Sequence, residues 1–326
     1  MLMAMTCQTP GGEILGWPMR VPSDELNYLH NQRIGRVEVT DSTRVSIDYL
    51  EYLFRTNDFN HYLATTASGS KILHTAPSRI EAYQVELPPL EEQQRIAGVL
   101  GVLDDLIDTN AAVASGCERL ARSIAATISD LVQLSRLAKA GVAKTVTPFG
   151  PVAHFSLPAF DSGPAPELVD GSTIKSAKLA FGQSMVLISR LNPHIPRIWT
   201  AYPVADKKNL ASTEFVPLVG TDVTTEEVFA VASTTSFVEQ MRMRVTGTTG
   251  SHQRVDKSAL LDLKVPDVRR LSDDKRLLIR NLVSESEASR TMAAQLRLTR
   301  DELLPLLMSG KVRVGDVSQA GVLGEE

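Results

Sequence analysis

The chain has 326 residues, 43% of them hydrophobic and 22% charged, with a formal net charge of −4 and a pI near 5.9. That is soluble globular material long enough for two domains, with no bulk positive field for nucleic acid. No apolar run reaches the roughly 20 residues needed to cross a bilayer. The two cysteines, Cys7 and Cys117, stand far apart without metal-ligand spacing, which argues against a disulfide framework or structural zinc and for a reducing cytoplasm. The opening "MLMAMTCQTPGGE" lacks the basic start of a signal peptide.

In chain order, "MLMAMTCQTP" (1–10) is followed by "LNYLHNQRIGR", a polar stretch carrying Asn31, Gln32, Arg33 and Arg36. "VSIDYLEYLFRTNDFNHYL" (45–63) reads as a pair of short helices, and "ASGSKILH" as a Gly-Ser turn presenting Ser70, Lys71 and His74. The alternating "AYQVEL" predicts a strand that Pro88 and Pro89 stop, and these prolines suit a helix entry. From Ile96 the apolar residues keep a heptad. One line reads Ile96, Leu103, Asn110, Cys117, Ile124, Leu131, and the next Val99, Leu106, Val113, Leu120, Thr127, Leu134. A third line, Leu100, Ile107, Ala114, Ala121, Ile128, widens the stripe. Nearly six heptads in phase predict a long coiled-coil helix, with Asn110 on the seam as a register-fixing device.

The plan then repeats. "SMVLISRLNP" (184–193) parallels residues 1–10, and "TTEEVFAVASTTSFVEQM" (224–241) parallels the first helix pair. "TGTTGSHQRVDKSALLDLKVPD" repeats the Gly-Ser turn, with Ser251, His252, Gln253 and Arg254, and the step into a strand ending at Pro266. A second long helix follows with the stripe Leu278, Leu282, Glu285, Ser289, Met292, Leu296, Thr299, Leu303, and Pro305 should kink or end it near Leu304. The predicted fold class is therefore two α/β (α+β) globular domains, each followed by a long helix. The helices, each with an apolar stripe to bury, are natural partners in a coiled coil through Ile96, Leu103, Asn110, Leu278, Leu282, Met292 and Leu296.

"ELPPLEEQQRIAGVLGVLDDLIDTN", "HNQRIGRVEV", "GQSMVLISRLNP", the turns "SGSKI" and "TGSHQR" and the terminal "LLPLLMSGKVRV" together resemble the specificity subunit of type I restriction-modification systems. In that family Pro-Pro-Leu-x-Glu-Gln-x-x-Ile followed by a helix marks the border between a target-recognition domain and a spacer helix. The resemblance implies recognition domains over 1–89 and 151–268, a central spacer helix over 90–137, a linker over 138–150, a second spacer helix over 269–312 and a tail over 313–326. It implies a non-enzymatic adaptor whose two spacer helices pair as an antiparallel coiled coil in a pseudo-twofold molecule, and which reads a bipartite gapped target on double-stranded DNA. Two adenine-methylating modification subunits dock on it, and two restriction (motor-nuclease) subunits can join. No cofactor belongs to this chain: S-adenosylmethionine, ATP and magnesium are expected on the partners. About 40 helical residues measure roughly 60 Å against about 34 Å for a turn of duplex, so the helices can serve as a ruler between half-sites. About 35 residues, Pro151 to Gln183, precede "MVLISR" and none precede "MLMAMT", so the first recognition domain is expected to be N-terminally truncated. Gly182-Gln183 also replaces the Gly-Asp usual in the family.

Reading base edges in the major groove requires bidentate side chains, and positioning on phosphates requires Lys, Arg, Ser or Thr. The candidate DNA contacts are Gln32, Arg33, Ser70 and Lys71 in the first unit. In the second they are Arg190, Asn192, His194 and Arg197 of "SRLNPHIPR", with Ser251, His252, Gln253 and Arg254. Each is equally compatible with a solvated loop; recurrence in both copies favours the functional reading. No catalytic residues and no metal ligands are expected: "LNPHIP" lacks the Pro-Pro-aromatic of adenine methyltransferases, "VPDVRRLSDDK" is a helix start rather than a nuclease motif, and no P-loop is present. The competing reading is a coiled-coil scaffold that binds partner subunits without reading DNA.

Overall fold

The computed structural model describes residues 1–245 and 253–315. Two compact units emerge: Met1–Leu106 with the chain from Leu296 onward, and Ile107–Gln295.

In the first unit β1 (Leu2–Ala4) lies between β3 (Pro18–Met19) and β4 (Ile34–Arg36), both antiparallel to it, while β2 (Thr6–Cys7) pairs with β5 (Leu73–His74). The predicted helix pair is α1 (Ile47–Phe54) and α2 (Asn57–Thr66), followed by the short α3 (Pro77–Glu81). Ser46 and Thr56 open the pair by accepting from the N–H groups of Tyr49 and Phe59, which satisfies donors that a helix start leaves free. Tyr49, Phe59 and Leu63 pack with Met3 and Leu15 onto Ile96 and Leu100 of α4 (Leu90–Ala126), and Leu307 of the last helix joins them. The fully buried Gln93 ties α1 to α4: its side-chain oxygen accepts from Ser46 N–H (2.9 Å) and its amide donates to the carbonyls of Arg44 (2.9 Å) and Pro88 (2.8 Å).

The second unit begins with β6 (Leu131–Gln133), β7 (Ala138–Ala140) and β8 (Lys144–Val146). Then come β9 (Pro151–Phe155), α5 (Leu157–Asp161), β10 (Glu167–Asp170), β11 (Lys178–Phe181), β12 (Met185–Ser189), β13 (Ile198–Ala201), β14 (Lys208–Ala211) and β15 (Phe215–Gly220). Helices α6 (Thr225–Ala232), α7 (Thr235–Met243) and α8 (Lys257–Leu261), strand β16 (Lys264–Pro266) and the part of helix α9 (Asp273–Met308) up to Gln295 complete it. The five-stranded sheet runs β10-β9-β14-β11-β8 with β14 and β9 parallel, and the four-stranded antiparallel sheet runs β13-β12-β15-β7. Trp199, Phe155, Phe181 and Phe215 form an aromatic core between them. The four-stranded sheet's other apolar residues pack with α6, α7, Ala121 and Ala125 of α4, and Ile279 and Val283 of α9. Helix α6 opens with a capping box, Thr224 with Glu227.

The long helices pack together with carboxylates of α4 meeting arginines of α9. In the first unit Arg300 meets Asp104 at 2.7 Å; in the second, Glu118 takes the Arg290 guanidinium and the Ser286 hydroxyl (3.1 Å). Lower numbers on α4 thus meet higher numbers on α9, an antiparallel pairing. The seam differs from the predicted one. On α4 the third apolar line is the buried one, with Leu100, Ile107, Ala114 and Ala121, while Leu106, Val113 and Leu120 are exposed. Ile96 is buried, whereas Leu103 and Asn110 are half-buried at its margin. On α9 the buried residues are Ile279, Val283, Ser286, Ser289, Ala293 and Leu307, of which Ser289 belongs to the expected stripe; Leu278 and Met292 are exposed and Leu282 and Leu296 half-buried. The expected stripe lay one residue out of register because the true seam carries Ser286 and Arg290, which hydropathy assigns to solvent.

Four further expectations are corrected. Helix α4 closes at Ala126 rather than continuing toward 137. Residues Leu131 to Gln133 pair with β16, Leu134 N–H donates to the Leu263 carbonyl (2.8 Å), and Leu134 is fully buried in the second unit's core. The proposed linker 138–150 contains β7 and β8, which pair with β15 and β11. "AYQVEL" forms no strand, because no neighbour among the described residues pairs with it. Pro305 sits inside α9, which continues to Met308; Ser309 N–H reaches back to the Pro305 carbonyl (3.1 Å).

Candidate nucleic-acid interface

The first unit gathers its candidates along one strand edge. Met5 donates its N–H to the Arg33 carbonyl (2.8 Å) and accepts at its own carbonyl from Thr75 N–H (3.0 Å). The Gln32-Arg33 turn and the Ser70-Lys71 turn therefore leave the same edge one after the other, and all four side chains are exposed. The second turn is fixed by the Ser68–His74 bridge and by Gly69, at φ 105°, where a Cβ would stand 2.0 Å from the Ile72 carbonyl oxygen. His74 Nδ1 is hydrogen-bonded to the Thr6 hydroxyl at 3.0 Å.

In the second unit the loop after β12 and the segment around Gln253 close on each other. Leu191 bridges Arg254, Asn192 N–H donates to the Gln253 carbonyl (2.9 Å) and Val255 N–H to the Arg190 carbonyl (3.0 Å). His194 Nε2 is hydrogen-bonded to Gln253 Oε1 at 2.6 Å. Arg190, Asn192, His194, Gln253 and Arg254, drawn from segments 60 residues apart in sequence, thus form one polar cluster. Asn192 holds a left-handed φ of 49°, and its buried Oδ1 has no hydrogen-bond partner among the described residues.

Glu214 organises the cations. Arg254 grips it with two bonds (2.8 and 3.1 Å), and Arg190 Nε lies 3.4 Å away. Burial works against its charge, yet Arg254 and Arg190 hold the Glu214 carboxyl below the usual carboxylate range. Arg197 stands apart: its buried guanidinium makes a bidentate pair with Asp161 (2.7 and 2.8 Å). Ser251 and His252 lie outside the described residues. Sequence reading missed Glu214 and Arg242, which donates to the His194 carbonyl (3.2 Å) and holds the loop from α7. Neither sits in a motif, so only tertiary contact reveals them.

In each unit these loops present polar side chains on a mixed α/β body. Residues 21–115 match the family model of the type I restriction modification DNA specificity domain, and the resemblance to specificity subunits of type I systems is thereby carried by the first unit and α4. A segment of 61 residues, 19% of this chain, is 39% identical to the type I restriction enzyme MjaIX specificity subunit of Methanocaldococcus jannaschii, and spans 14% of that protein's length. Among solved structures, the type I restriction-modification S subunit from M. genitalium is similar with a TM-score of 0.51, covering 94% of this chain and 82% of that one at 13% identity, a likeness of fold. A chain from a structure on complex assembly and conformational transition of the type I R-M system, 14% identical over 82% of this chain and 72% of that one, reaches a TM-score of 0.32, on which no argument rests. No helix among the described residues is long and apolar enough to cross a membrane.

Proposed function

We propose that the chain is the DNA specificity subunit of a cytoplasmic type I restriction-modification complex. It reads a bipartite gapped target with two recognition domains in pseudo-twofold arrangement and docks two modification subunits. The observation that carries this reading is the closure of the Arg190 loop on Gln253 and Arg254. It gathers amide, imidazole and guanidinium groups suited to base edges on a scaffold whose first unit matches a specificity domain. The exposed apolar line Leu106, Val113 and Leu120 on α4 supports partner docking. Catalysis and its S-adenosylmethionine, ATP and magnesium belong to the partners.

One observation favours the scaffold reading, in which the first unit no longer reads DNA. Trp199 pairs with Leu187 on β12 and is fully buried; Trp17, which accepts from Ala4 N–H at the matching place on β1, is 46% exposed. The test is to co-express the chain with its neighbouring modification subunit in a host free of adenine methylation and sequence the methylome. A gapped motif with one methyl-adenine in each half is expected. A motif whose specified bases fall on one side only supports the scaffold reading of the first unit, and absence of methylation counts against the specificity role.

A further inference from the structure

A cavity of about 360 Å³ in the second unit is lined in part by Pro196, in the loop that carries His194. Arg122 of α4 and Arg242 of α7 line it, with Phe160, Phe229 and Pro196 supplying apolar walls. Its volume falls at the lower end of small-molecule sites, and its lining is as polar as it is apolar, with Ser233 and Thr235 beside the two arginines.

Arg242 gives one N–H to the His194 carbonyl (3.2 Å). Arg276, Arg280, Arg290 and Arg300 each meet a carboxylate. Neither Arg122 nor Arg242 has such a partner among the described residues, and Arg122 Nε is buried with no hydrogen-bond acceptor. A buried donor without an acceptor is destabilising. The one carboxylate on the lining, Glu118, is neutralised by Arg290 and by the Ser286 hydroxyl. The cavity wall also includes Thr235, first residue of α7, and the cap residue Thr234 donates its hydroxyl back to the Val231 carbonyl instead of capping the helix. The field there favours negative charge.

We infer that this cavity is a nucleotide-phosphate site: the phosphate meets Arg122 and Arg242, and the sugar or base lies against Phe160 and Pro196. Two sources carry that chemistry, the backbone of a bound DNA strand and a free nucleotide. The DNA source rests on the function proposed above; the nucleotide source does not. Arginine suits this role because its planar fork matches phosphate oxygens two at a time.

The experiment has two arms. In the first, the purified chain is titrated with adenosine monophosphate and followed by ³¹P NMR and thermal melting. Binding is expected, with the Arg122→Ala variant weakened at least about ten-fold, the size of one charge-assisted hydrogen bond, and Arg122→Lys intermediate. Circular dichroism checks that each variant is folded. In the second arm, the complex with its modification subunit is titrated with duplex DNA over a range of salt. If the DNA backbone occupies the cavity, Arg122→Ala weakens every duplex alike and lowers the slope of log affinity against log salt by about one. Loss of mononucleotide binding with unchanged DNA binding assigns the site to a free nucleotide. If both arms are indifferent to Arg122→Ala and Arg242→Ala, the inference is overturned. A wild-type complex that binds no DNA removes the specificity reading, while the mononucleotide arm still decides the cavity.

Discussion

Glu287 is half-buried on α9, and one of its carboxylate oxygens has no hydrogen-bond partner among the described residues. Burial pushes its carboxyl up to about 7; nearby Arg290 opposes the shift and Glu118 adds to it. A carboxyl whose folded-state affinity for protons exceeds its unfolded one makes the folded state bind the extra proton. Stability therefore falls as pH rises from the ordinary Glu range, near 4.5, through about 7. Glu287→Gln, which mimics the protonated form, is expected to leave the unfolding midpoint unchanged at pH 5 and raise stability by about 1–2 kcal/mol at pH 8. Denaturant melts of both proteins at the two pH values check this, and equal effects at both would remove the titration as the cause. Glu214 is the opposite case, since its arginines keep it charged. Glu214→Ala should release Arg190 and Arg254 to swing, and is expected to blur the second half of the methylated motif while sparing the first.

At the scale of elements, the motif that carried the family resemblance has a physical meaning. Its glutamine is Gln93, whose three hydrogen bonds seat the start of α1 and the Pro88 carbonyl on the first turns of α4. The second unit solves the same problem with charge: Glu227 of α6, fully buried, accepts from Arg276 (2.8 and 2.9 Å) and Arg280 (2.9 Å) at the start of α9. Removing one partner of a buried polar set leaves the others unsatisfied. Gln93→Ala is expected to destabilise the first unit by about 2–4 kcal/mol, and Glu227→Ala the second by about 3–5 kcal/mol. Two separated unfolding transitions, each lowered by one variant, would locate the effects. Both helix pairs were legible in the sequence, because their caps and apolar spacing are local. The seam of α4 and α9 was legible only as a period. Several apolar lines share seven-residue spacing, and those that face inward are selected by Asp104 with Arg300 and Glu118 with Arg290, which no hydropathy pattern weighs. The end of α4 was hidden for a related reason: Leu131 and Leu134 continue the heptad, yet β16, more than 130 residues onward, claims that segment for a sheet. The Arg190, Asn192 and His194 cluster was partly legible, since its residue types and their recurrence are local; Glu214 and Arg242, which hold it, are not.

For the molecule as a whole, charge bookkeeping decides how it can meet DNA. The net charge is −4, and many arginines are spent on internal pairs: Arg197 on Asp161, Arg254 on Glu214, Arg276 and Arg280 on Glu227, Arg290 on Glu118, Arg300 on Asp104. Phosphate neutralisation is the sequence-independent source of affinity, and each neutralised phosphate steepens the salt dependence. A chain with net negative charge, whose buried arginines are held by its own carboxylates, presents a weak attractive field to a phosphate backbone. The isolated protein is therefore expected to bind duplex DNA only weakly, whatever its sequence, whereas the complex with modification subunits binds the cognate target with a steep salt slope. Fluorescence anisotropy across a salt series, on the chain alone and on the complex, measures both. Tight binding by the lone chain that ignores salt would mean that contacts to base edges, rather than partner-borne cations, supply most of the affinity, and the docking role proposed for the long helices would lose its energetic rationale.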